Sequence, residues 1–307
     1  MISKRFCLKR GEGIEAALVN GNLAAQKTGL PLATHCEITR VRRSMPSDYH
    51  LHTPLCHHAT GWPVEYARRA VELGLPEIGF SDHSPMPQFF DDWRMAVSDL
   101  PRYFEAVEEA RAAFPALPIR LGLETDWLEG GEGWIDDLTA RAPWDYLIGS
   151  VHYLGDWNFD NPAETARFSH FGVEEAWDRY WLLFNQAARS RRFDIMGHPD
   201  LVKKFKHRPP GDLRRYYEPA VQACVDAGVA IEINTAGLFK PVAEMYPAPE
   251  FLTLAAGAGL CLTINSDAHA PEEVGRAFPE ALALARACGF SELVRFQGRE
   301  RKCTPLE

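Results

Sequence analysis

From residue 46 onward, short apolar runs alternate with longer segments in which apolar residues recur at helical spacing. Turn-forming or polar residues bound the short runs, which is typical of buried β-strands. The predicted strands are 47–52, 77–81, 118–124, 145–151, 193–197, 229–234 and 260–265. The predicted helices are 63–73, 99–114, 173–191, 212–227, 249–256 and 279–288. Pro63 and Pro101 suit the first turns of two helices, and Gly74, Gly228 and Gly289 suit C-terminal caps.

The alternation of strand and helix determines the fold class that we expect. It predicts parallel strands joined by right-handed crossovers, which is an α/β architecture. Seven units indicate either a barrel with one strand fewer than the usual eight or an open, doubly wound sheet. The chain has 307 residues, of which 46% are hydrophobic, enough for the core of a single barrel.

Residues 1–44 lack this alternation and differ in charge. They contain eight Lys or Arg residues and three acidic ones, Glu12, Glu15 and Glu37. We expect residues 1–45 to be a disordered extension or the product of an upstream start codon, with the working domain at 46–307. A genuine targeting arm is the alternative.

The net charge, the cysteines and the hydropathy exclude several classes of protein. A formal charge of −9 argues against broad electrostatic binding of nucleic acid or of acidic membranes. The seven cysteines form no C-x-x-C pair, so we expect reduced thiols in a cytoplasmic protein. There is no apolar run long enough to cross a membrane.

Histidines and carboxylates recur where the predicted strands end. The first strand contains His50 and His52, whose side chains face the same way because strand side chains alternate. Comparable residues at the ends of later strands are Asp82, His83, Glu124, His152, His198, Asp267 and His269, and the first loop adds His57 and His58. The sixth strand lacks a histidine and offers Glu232 and Asn234.

This coincidence predicts a metal centre. Six of the eleven histidines lie at or just past predicted strand ends, whereas scattered core or surface histidines would show no such pattern. A barrel gathers these ends on one face, and imidazole with carboxylate suits Zn, Mn or Fe. Nine ligands exceed the needs of one tetrahedral zinc, so we expect two or three divalent ions. The predicted ligands are His50, His52, His58, His83, Glu124, His152, His198, Asp267 and His269.

The charge of such a centre indicates its chemistry. Three divalent ions would be offset by only two carboxylates, so the site would attract a phosphate dianion. A metal-bridging hydroxide would be the nucleophile. We expect Asp48 and Asp82 to accept hydrogen bonds from the far side of ligand imidazoles, with direct ligation as the alternative. Cys56 is interpreted as a packing residue, and His57 could replace His58 if the loop register differs.

The order of these motifs resembles that of the PHP (polymerase and histidinol phosphatase) superfamily. H-x-H-T, S-D-H, a lone Glu, V-H, G-H-P-D and S-D-A-H carry the resemblance across about residues 46–290. It implies a distorted (β/α)7 barrel. It also implies one metal held by His50, His52, Glu124 and Asp267, a second by Glu124, His152 and His198, and a third by His58, His83 and His269. The first 44 residues lie outside the family pattern.

Within the superfamily, D-H-S-P-M-P, G-S-V-H-Y-L and G-H-P-D-L-V-K-K-F are similar to the histidinol-phosphatase branch. The resemblance implies hydrolysis of L-histidinol phosphate to L-histidinol and phosphate in histidine biosynthesis. The residues alone indicate only metal-assisted phosphoester hydrolysis of a small molecule. The alternatives are a phosphoesterase of the same fold acting on nucleotides or nucleic-acid ends, and a non-catalytic metal-binding regulatory protein.

Three cationic residues are candidates to bind the substrate phosphate or to line the entrance. They are Arg94, Lys203 and Lys204, each of which could equally be a solvated surface charge. Phe89, Phe90 and Trp93 either pack against an imidazole ring or form the small core of their own loop. For His170, a polar role away from the substrate is the simpler interpretation.

Overall fold

The computed structural model describes residues 45–306, and the expectation for residues 1–44 lies outside this range. The helices are α1 Pro63–Leu73, α2 Leu100–Ala113, α3 Glu132–Thr139, α4 Arg167–Phe171, α5 Val173–Arg189, α6 Arg214–Ala227, α7 Pro249–Gly257 and α8 Phe278–Cys288. The strands are β1 Ile78–Phe80, β2 Ile119–Asp126, β3 Tyr146–Ser150, β4 Tyr153–Leu154, β5 Trp157–Asn158, β6 Ile195–Met196, β7 Ala230–Asn234, β8 Leu262–Asn265, β9 Glu292–Gln297 and β10 Glu300–Pro305. The six helices and six of the seven strands predicted from the pattern are confirmed, with ends shifted by a few residues.

The main sheet is parallel and curled. Its six strands follow the order β1-β2-β3-β6-β7-β8, and every neighbouring pair is parallel. Helices follow the strands and pack around the outside, with their apolar faces in one large core cluster. Because the sheet curls and is covered by helices, the fold is the predicted distorted α/β barrel rather than an open sheet.

The predicted first strand, 47–52, is a bridging segment rather than a regular strand. Asp48 makes an isolated parallel bridge to Ile78 of β1, and Leu51 makes another to Ala268, just past β8. On the β8 side, the N–H of Tyr49 donates to the side chain of Asn265 instead of to a backbone carbonyl. The segment therefore joins both edges of the sheet through an interrupted ladder of hydrogen bonds. This position holds His50 and His52 inside the barrel.

The end of the barrel opposite the strand carboxyl ends is filled by aromatic side chains. The rings of Tyr49 and Tyr146 lie 5.0 Å apart, and Phe296 of β9 packs edge-on against Tyr49. A Cβ on Gly122 would lie 2.5 Å from the Tyr146 ring, so only glycine leaves room for it there. The antiparallel hairpin β9–β10, which the pattern did not predict, thus contributes to the interior packing.

The remaining unpredicted elements are short. They are α3, α4 and the β4–β5 hairpin, which pairs Tyr153 with Asn158. Two- to eight-residue elements such as these carry too few apolar repeats to give a periodic signal. Among the described residues, the helices are all too short or too polar to span a bilayer.

Candidate metal centre and active site

The carboxyl ends of the parallel strands meet around one cavity of about 240 Å³. Glu124 lies near the end of β2, His152 follows β3, and His198 follows β6. The lining also includes His58, His83, Asp267 and His269. The buried rings of His50 and His52 lie 5.2 Å apart next to this wall. The fold therefore brings all nine predicted ligands into one cluster.

Within the cluster, several groups have ligand atoms close enough to share one ion. In each group the atoms lie within 4.8 Å of one another. The groups are His50, His52 and Asp267; His50, Glu124 and His198; His52, His83 and Glu124; His58, His83 and His269; and His52, Cys56 and His269. The groups overlap, with His52 in three of them, so neighbouring groups share side chains.

Glu124 belongs to two of these groups and contacts imidazoles through both of its oxygens. One oxygen, Oε1, lies 2.9 Å from His198 Nε2 and 3.5 Å from His152 Nε2. The other, Oε2, lies 2.9 Å from His83 Nδ1 and 3.3 Å from His50 Nε2. A carboxylate at 1% exposure with imidazoles on both oxygens is placed to bridge two cations.

Four imidazoles have their Nδ1 atoms engaged away from the centre. His50 Nδ1 lies 3.1 Å from Glu232, and His152 Nδ1 lies 2.7 Å from Asp126. His58 Nδ1 pairs with the carbonyl of Cys56, and His269 Nδ1 with that of Asp267. Each partner is an acceptor, so Nδ1 carries the proton and the Nε2 lone pair is left for a metal.

The nitrogen and oxygen atoms that face the centre suit a cation because they are buried and lack hydrogen-bond partners. Among the described residues, no hydrogen-bond partner serves Nε2 of His50, His52 or His269, or Oε2 of Glu124. Buried polar atoms without partners are costly, and a convergent set of them is explained by a ligand that occupies their common centre. Imidazole and carboxylate donors together suit a divalent ion such as zinc.

The protonation states of two side chains in the site also suit a metal ion. Burial disfavours ionisation of Glu124, but the imidazoles of His50, His83 and His152 outweigh it and hold the pKa of the carboxyl well below its usual value. For His269, burial and the neighbouring His52 lower the pKa of the imidazole well below its usual value. An anionic Glu124 and a neutral His269 are the protonation states that bind metal.

Two of the predicted ligands have left-handed backbone conformations. The φ angle is +25° at His198 and +51° at Asp267, in a region that residues other than glycine rarely occupy. The surrounding contacts impose these conformations, since the N–H of His198 donates to Glu232 at 2.6 Å. Such strain is typical of side chains that are aimed at a functional centre.

Asp48 and Asp82 differ in whether they contact a ligand imidazole. Asp48 accepts hydrogen bonds from the N–H groups of Ser266 and Gly275 and, among the described residues, pairs with no imidazole ring, so it organises the loop after β8. Asp82 lies 3.4 Å from His52 Nδ1 and accepts the N–H of Thr53. The expected support of an imidazole is therefore wrong for Asp48, because its carboxylate is taken up by backbone donors.

Glu232 and Asp126 accept hydrogen bonds from the imidazoles of predicted ligands. This role was not predicted for either residue. Glu232 lies on β7 and contacts His50, while Asp126 ends β2 and contacts His152. A signal was present for both. Asp126 is two residues past Glu124, and side chains two apart on a strand share a face. Glu232 lies on the sixth predicted strand, which lacks a histidine and carries this carboxylate instead.

The three cationic candidates for substrate binding differ in whether they line the cavity and in which groups they bind. Lys203 is fully buried away from the cavity, where it pairs with Asp200 at 3.0 Å and donates to the carbonyl of Met245, so its expected role as a phosphate contact is wrong. Lys204 lines the cavity and pairs with Asp160. Arg94 also lines the cavity, but its guanidinium is bound to Asp91 and Asp126.

Two further cations line the cavity and were not singled out in the sequence. Lys240 is exposed at its rim, and Arg276 pairs with Glu273 while its guanidinium lies 4.2 Å from the Phe239 ring. Both lie on loops after strands, where no local pattern distinguishes a substrate contact from a surface charge.

The aromatic loop contributes one contact to the centre. Trp93 packs edge-on against His58 with ring centroids 5.2 Å apart, whereas Phe89 is 84% exposed. His57 and His170 are exposed and lie outside the lining of the cavity. Cys56 is buried, and its thiol donates to the carbonyl of Thr53.

Residues 48–236 match the family model described as the PHP domain. The chain belongs to the PHP family. The match covers more than half of the chain and includes seven of the nine clustered side chains, whereas Asp267 and His269 lie beyond its end.

Three similar proteins cover between 75% and 84% of this PHP chain. A protein of Deinococcus radiodurans named "Probable histidinol-phosphatase" is 44% identical over 84% of this chain and 98% of its own length. The histidinol-phosphatase of Bacillus subtilis is 29% identical over 75% of this chain and 96% of its own length. The crystal structure of the histidinol phosphate phosphatase from Lactococcus lactis, in complex with Zn, L-histidinol and phosphate, superposes with a TM-score of 0.73 at 25% identity. It covers 84% of this chain and 99% of the other.

Proposed function

We propose that this PHP protein is a metal-dependent histidinol-phosphatase that hydrolyses L-histidinol phosphate to L-histidinol and phosphate in histidine biosynthesis. The observation that carries the proposal is the 44% identity with the Deinococcus relative over 84% of this chain and 98% of the relative. The site agrees with this activity, because its ligand cluster opens into a cavity of about 240 Å³, suited to a small phosphomonoester.

The proposal includes two or three divalent ions, of Zn, Mn or Fe. One would be held by His50, His52, Glu124 and Asp267, a second by Glu124, His152 and His198, and a third by His58, His83 and His269. The groups of close ligand atoms support these sets, most directly the third, whose members form one group. Bound divalent ions would polarise the phosphoryl oxygens and supply a hydroxide at neutral pH.

The protein's own side chains would orient the reacting groups. Glu232 and Asp126 fix the rings of His50 and His152 by accepting their Nδ1 protons. Lys204, Lys240 and Arg276 lie on the cavity wall, where we propose that they attract the phosphate dianion. Arg276 is well suited to this role, since its planar guanidinium binds phosphate oxygens in pairs.

We also propose a cytoplasmic location. The described cysteines, which are Cys56, Cys224, Cys261, Cys288 and Cys303, are all free. Free thiols are usual in a reducing compartment.

The substrate assignment is tested with a panel of phosphomonoesters and purified, metal-loaded protein. We expect kcat/KM for L-histidinol phosphate to exceed that for nucleoside monophosphates, because a small cavity fits the smaller alcohol better. Equal activity on a nucleoside monophosphate would contradict the assignment while leaving phosphoester hydrolysis intact.

The ligand assignment is tested with His269→Ala. We expect this variant to lose bound metal and nearly all turnover while it keeps its fold, because His269 Nε2 is buried and faces the centre. The matched control is His170→Ala, which removes an exposed histidine outside the cavity lining. Unchanged metal content and kcat in His269→Ala would refute the assignment.

A further inference from the structure

Arg94 lies beside the cavity, yet four of the five N–H donors of its guanidinium are bound by the protein. Every side-chain nitrogen donates a hydrogen bond, to Asp91, to Asp126 or to the carbonyl of Ser84. We propose that Arg94 is a positioning residue that fixes the imidazole of His152 through Asp126 and, through Asp91, fixes Tyr153 in the wall of the cavity. The inference rests on the proposed function only in taking His152 as a metal ligand.

The first branch leads from Arg94 to the metal centre. Arg94 Nη1 lies 2.8 Å from Asp126 Oδ2, and the other oxygen of that carboxylate lies 2.7 Å from His152 Nδ1. His152 Nε2 then lies 3.2 Å from His198 Nε2. Because Asp126 is held on one side by a rigid guanidinium, it fixes both the tautomer and the tilt of the His152 ring.

The second branch leads to the aromatic residues at the cavity. Arg94 binds Asp91 through Nε and Nη2, at 2.9 and 2.6 Å. Asp91 in turn accepts the hydroxyl of Tyr153 on β4, and the Tyr153 ring packs against Phe90 at 4.9 Å. One guanidinium therefore connects the loop before α2, the β4–β5 hairpin and a proposed metal ligand.

The charges explain why this arrangement needs arginine. Arg94 is 7% exposed and is the cation that compensates two carboxylates, Asp91 and Asp126. A planar guanidinium can bind one carboxylate with two nitrogens and a second with the third, whereas a lysine ammonium is a single point charge. Since the two carboxylates and the Ser84 carbonyl use four of the five N–H donors, Arg94 does not keep the pair of N–H groups that bidentate binding of a substrate phosphate needs.

The test uses Arg94→Lys, Asp126→Asn and the double variant. Metal content is measured after dialysis by inductively coupled plasma mass spectrometry, alongside kcat, KM and inhibition by inorganic phosphate. We expect Arg94→Lys to retain less metal and to lower kcat about 10–100-fold, as for other residues that orient metal ligands. Inhibition by phosphate should stay close to that of the unmodified protein.

The double variant shows whether Arg94 acts through Asp126. If it does, Arg94→Lys should lower metal retention far less in the Asp126→Asn background than alone, because the path to His152 is already broken. The matched control is Arg192→Lys, since Arg192 binds Asp136 through two nitrogens on the surface, away from the cavity. This control should retain its metal and kcat.

Two outcomes would overturn the proposal. Full metal content in Arg94→Lys with a raised KM and weaker phosphate inhibition would make Arg94 a substrate contact. Independent, additive losses in the double variant would remove Asp126 from the path. If Arg94→Lys does not fold, Asp126→Asn alone decides, since unchanged metal retention there also contradicts the proposal. Metal content is read without substrate, so the result stands even if the substrate assignment fails.

Discussion

Glu232 accepts four hydrogen bonds at the base of the metal centre, although it lies on a strand whose end lacks a histidine. Its donors are His50 Nδ1, the N–H of His198 and the side-chain amides of Asn234 and Asn265. The carboxylate is fully buried and remains ionised, because His50 lowers its pKa against the effect of burial. It is therefore an anchor for two proposed ligands at once.

Replacing this anchor should weaken metal binding without unfolding the protein. In Glu232→Gln the neutral amide keeps the shape but loses the charge that orients His50, so we expect metal retention or kcat to fall about 10–100-fold. Metal analysis and steady-state kinetics measure this, with exposed Glu250→Gln as the control. Full occupancy with unchanged kcat would contradict the role given to Glu232.

Lys203 was a candidate substrate contact in the sequence, but in the structure it stabilises the fold. Its ammonium is buried with Asp200 and also lies 3.4 Å from Glu244. In Lys203→Met, Asp200 would remain as an uncompensated buried charge, so we expect a loss of about 3–5 kcal/mol in the free energy of unfolding. Urea denaturation measures this loss, and KM of the folded enzyme should not change.

The matched control for this substitution is Lys206→Met, because Lys206 is an exposed lysine of the same segment. Its stability should remain within about 0.5 kcal/mol of the unmodified protein. A Lys203→Met variant with normal stability and a raised KM would return Lys203 to the substrate site.

At the scale of elements, the β9–β10 hairpin fills the barrel end opposite the metal centre. Phe296 is 3% exposed, and its ring packs against both Tyr49 and Tyr146. Its N–H also donates to the Tyr49 hydroxyl. The hairpin thus packs against the segment that carries His50 and His52, on the side away from the metal centre, although it contributes no proposed ligand.

We therefore expect Phe296→Ala to destabilise the fold without changing the metal ligands. Truncation of a buried phenylalanine costs about 3–5 kcal/mol, because it loses transfer free energy and leaves a cavity. Chemical denaturation measures the loss, and Phe89→Ala, at an 84% exposed site, is the control. A variant of normal stability would show that the hairpin does not brace the barrel.

At the scale of the whole molecule, the metal centre joins all parts of the barrel. Its proposed ligands follow β1, β3, β6 and β8, lie on β2, or belong to the segment that joins the two edges of the sheet. A cation bound there stabilises the folded state by mass action, by about 2.7 kcal/mol when its free concentration is 100 times Kd. It also satisfies buried nitrogens that otherwise lack partners.

Removal of metal by a chelator should accordingly lower the melting temperature, and added zinc should restore it. Scanning calorimetry of the chelated and zinc-loaded protein measures the shift. His170→Ala should respond as the unmodified protein does, while His269→Ala should respond less. Identical melting with and without metal would show that the clustered side chains do not bind it in the folded protein.

The pattern of the chain predicted the elements best where they were long and repetitive. All six predicted helices were found, since an amphipathic helix repeats its apolar face over several turns. The segment 47–52 was expected to be a regular strand but makes only isolated bridges, because Asn265 takes up a backbone donor. The β9–β10 hairpin was missed, since its β10 strand is largely exposed and has no alternating pattern.

The sequence by itself determined the fold class and the histidines and carboxylates that cluster, because strand ends and histidines are local features and a parallel barrel collects them on one face. The tertiary structure alone decided how each charge is used. Lys203, Arg94 and Asp48 all resemble site residues along the chain, but each is bound by groups that are distant in sequence or held by loop backbone. Whether a charged side chain is paired within the protein depends on its neighbours in space. The periodicity and spacing of a sequence do not describe those neighbours.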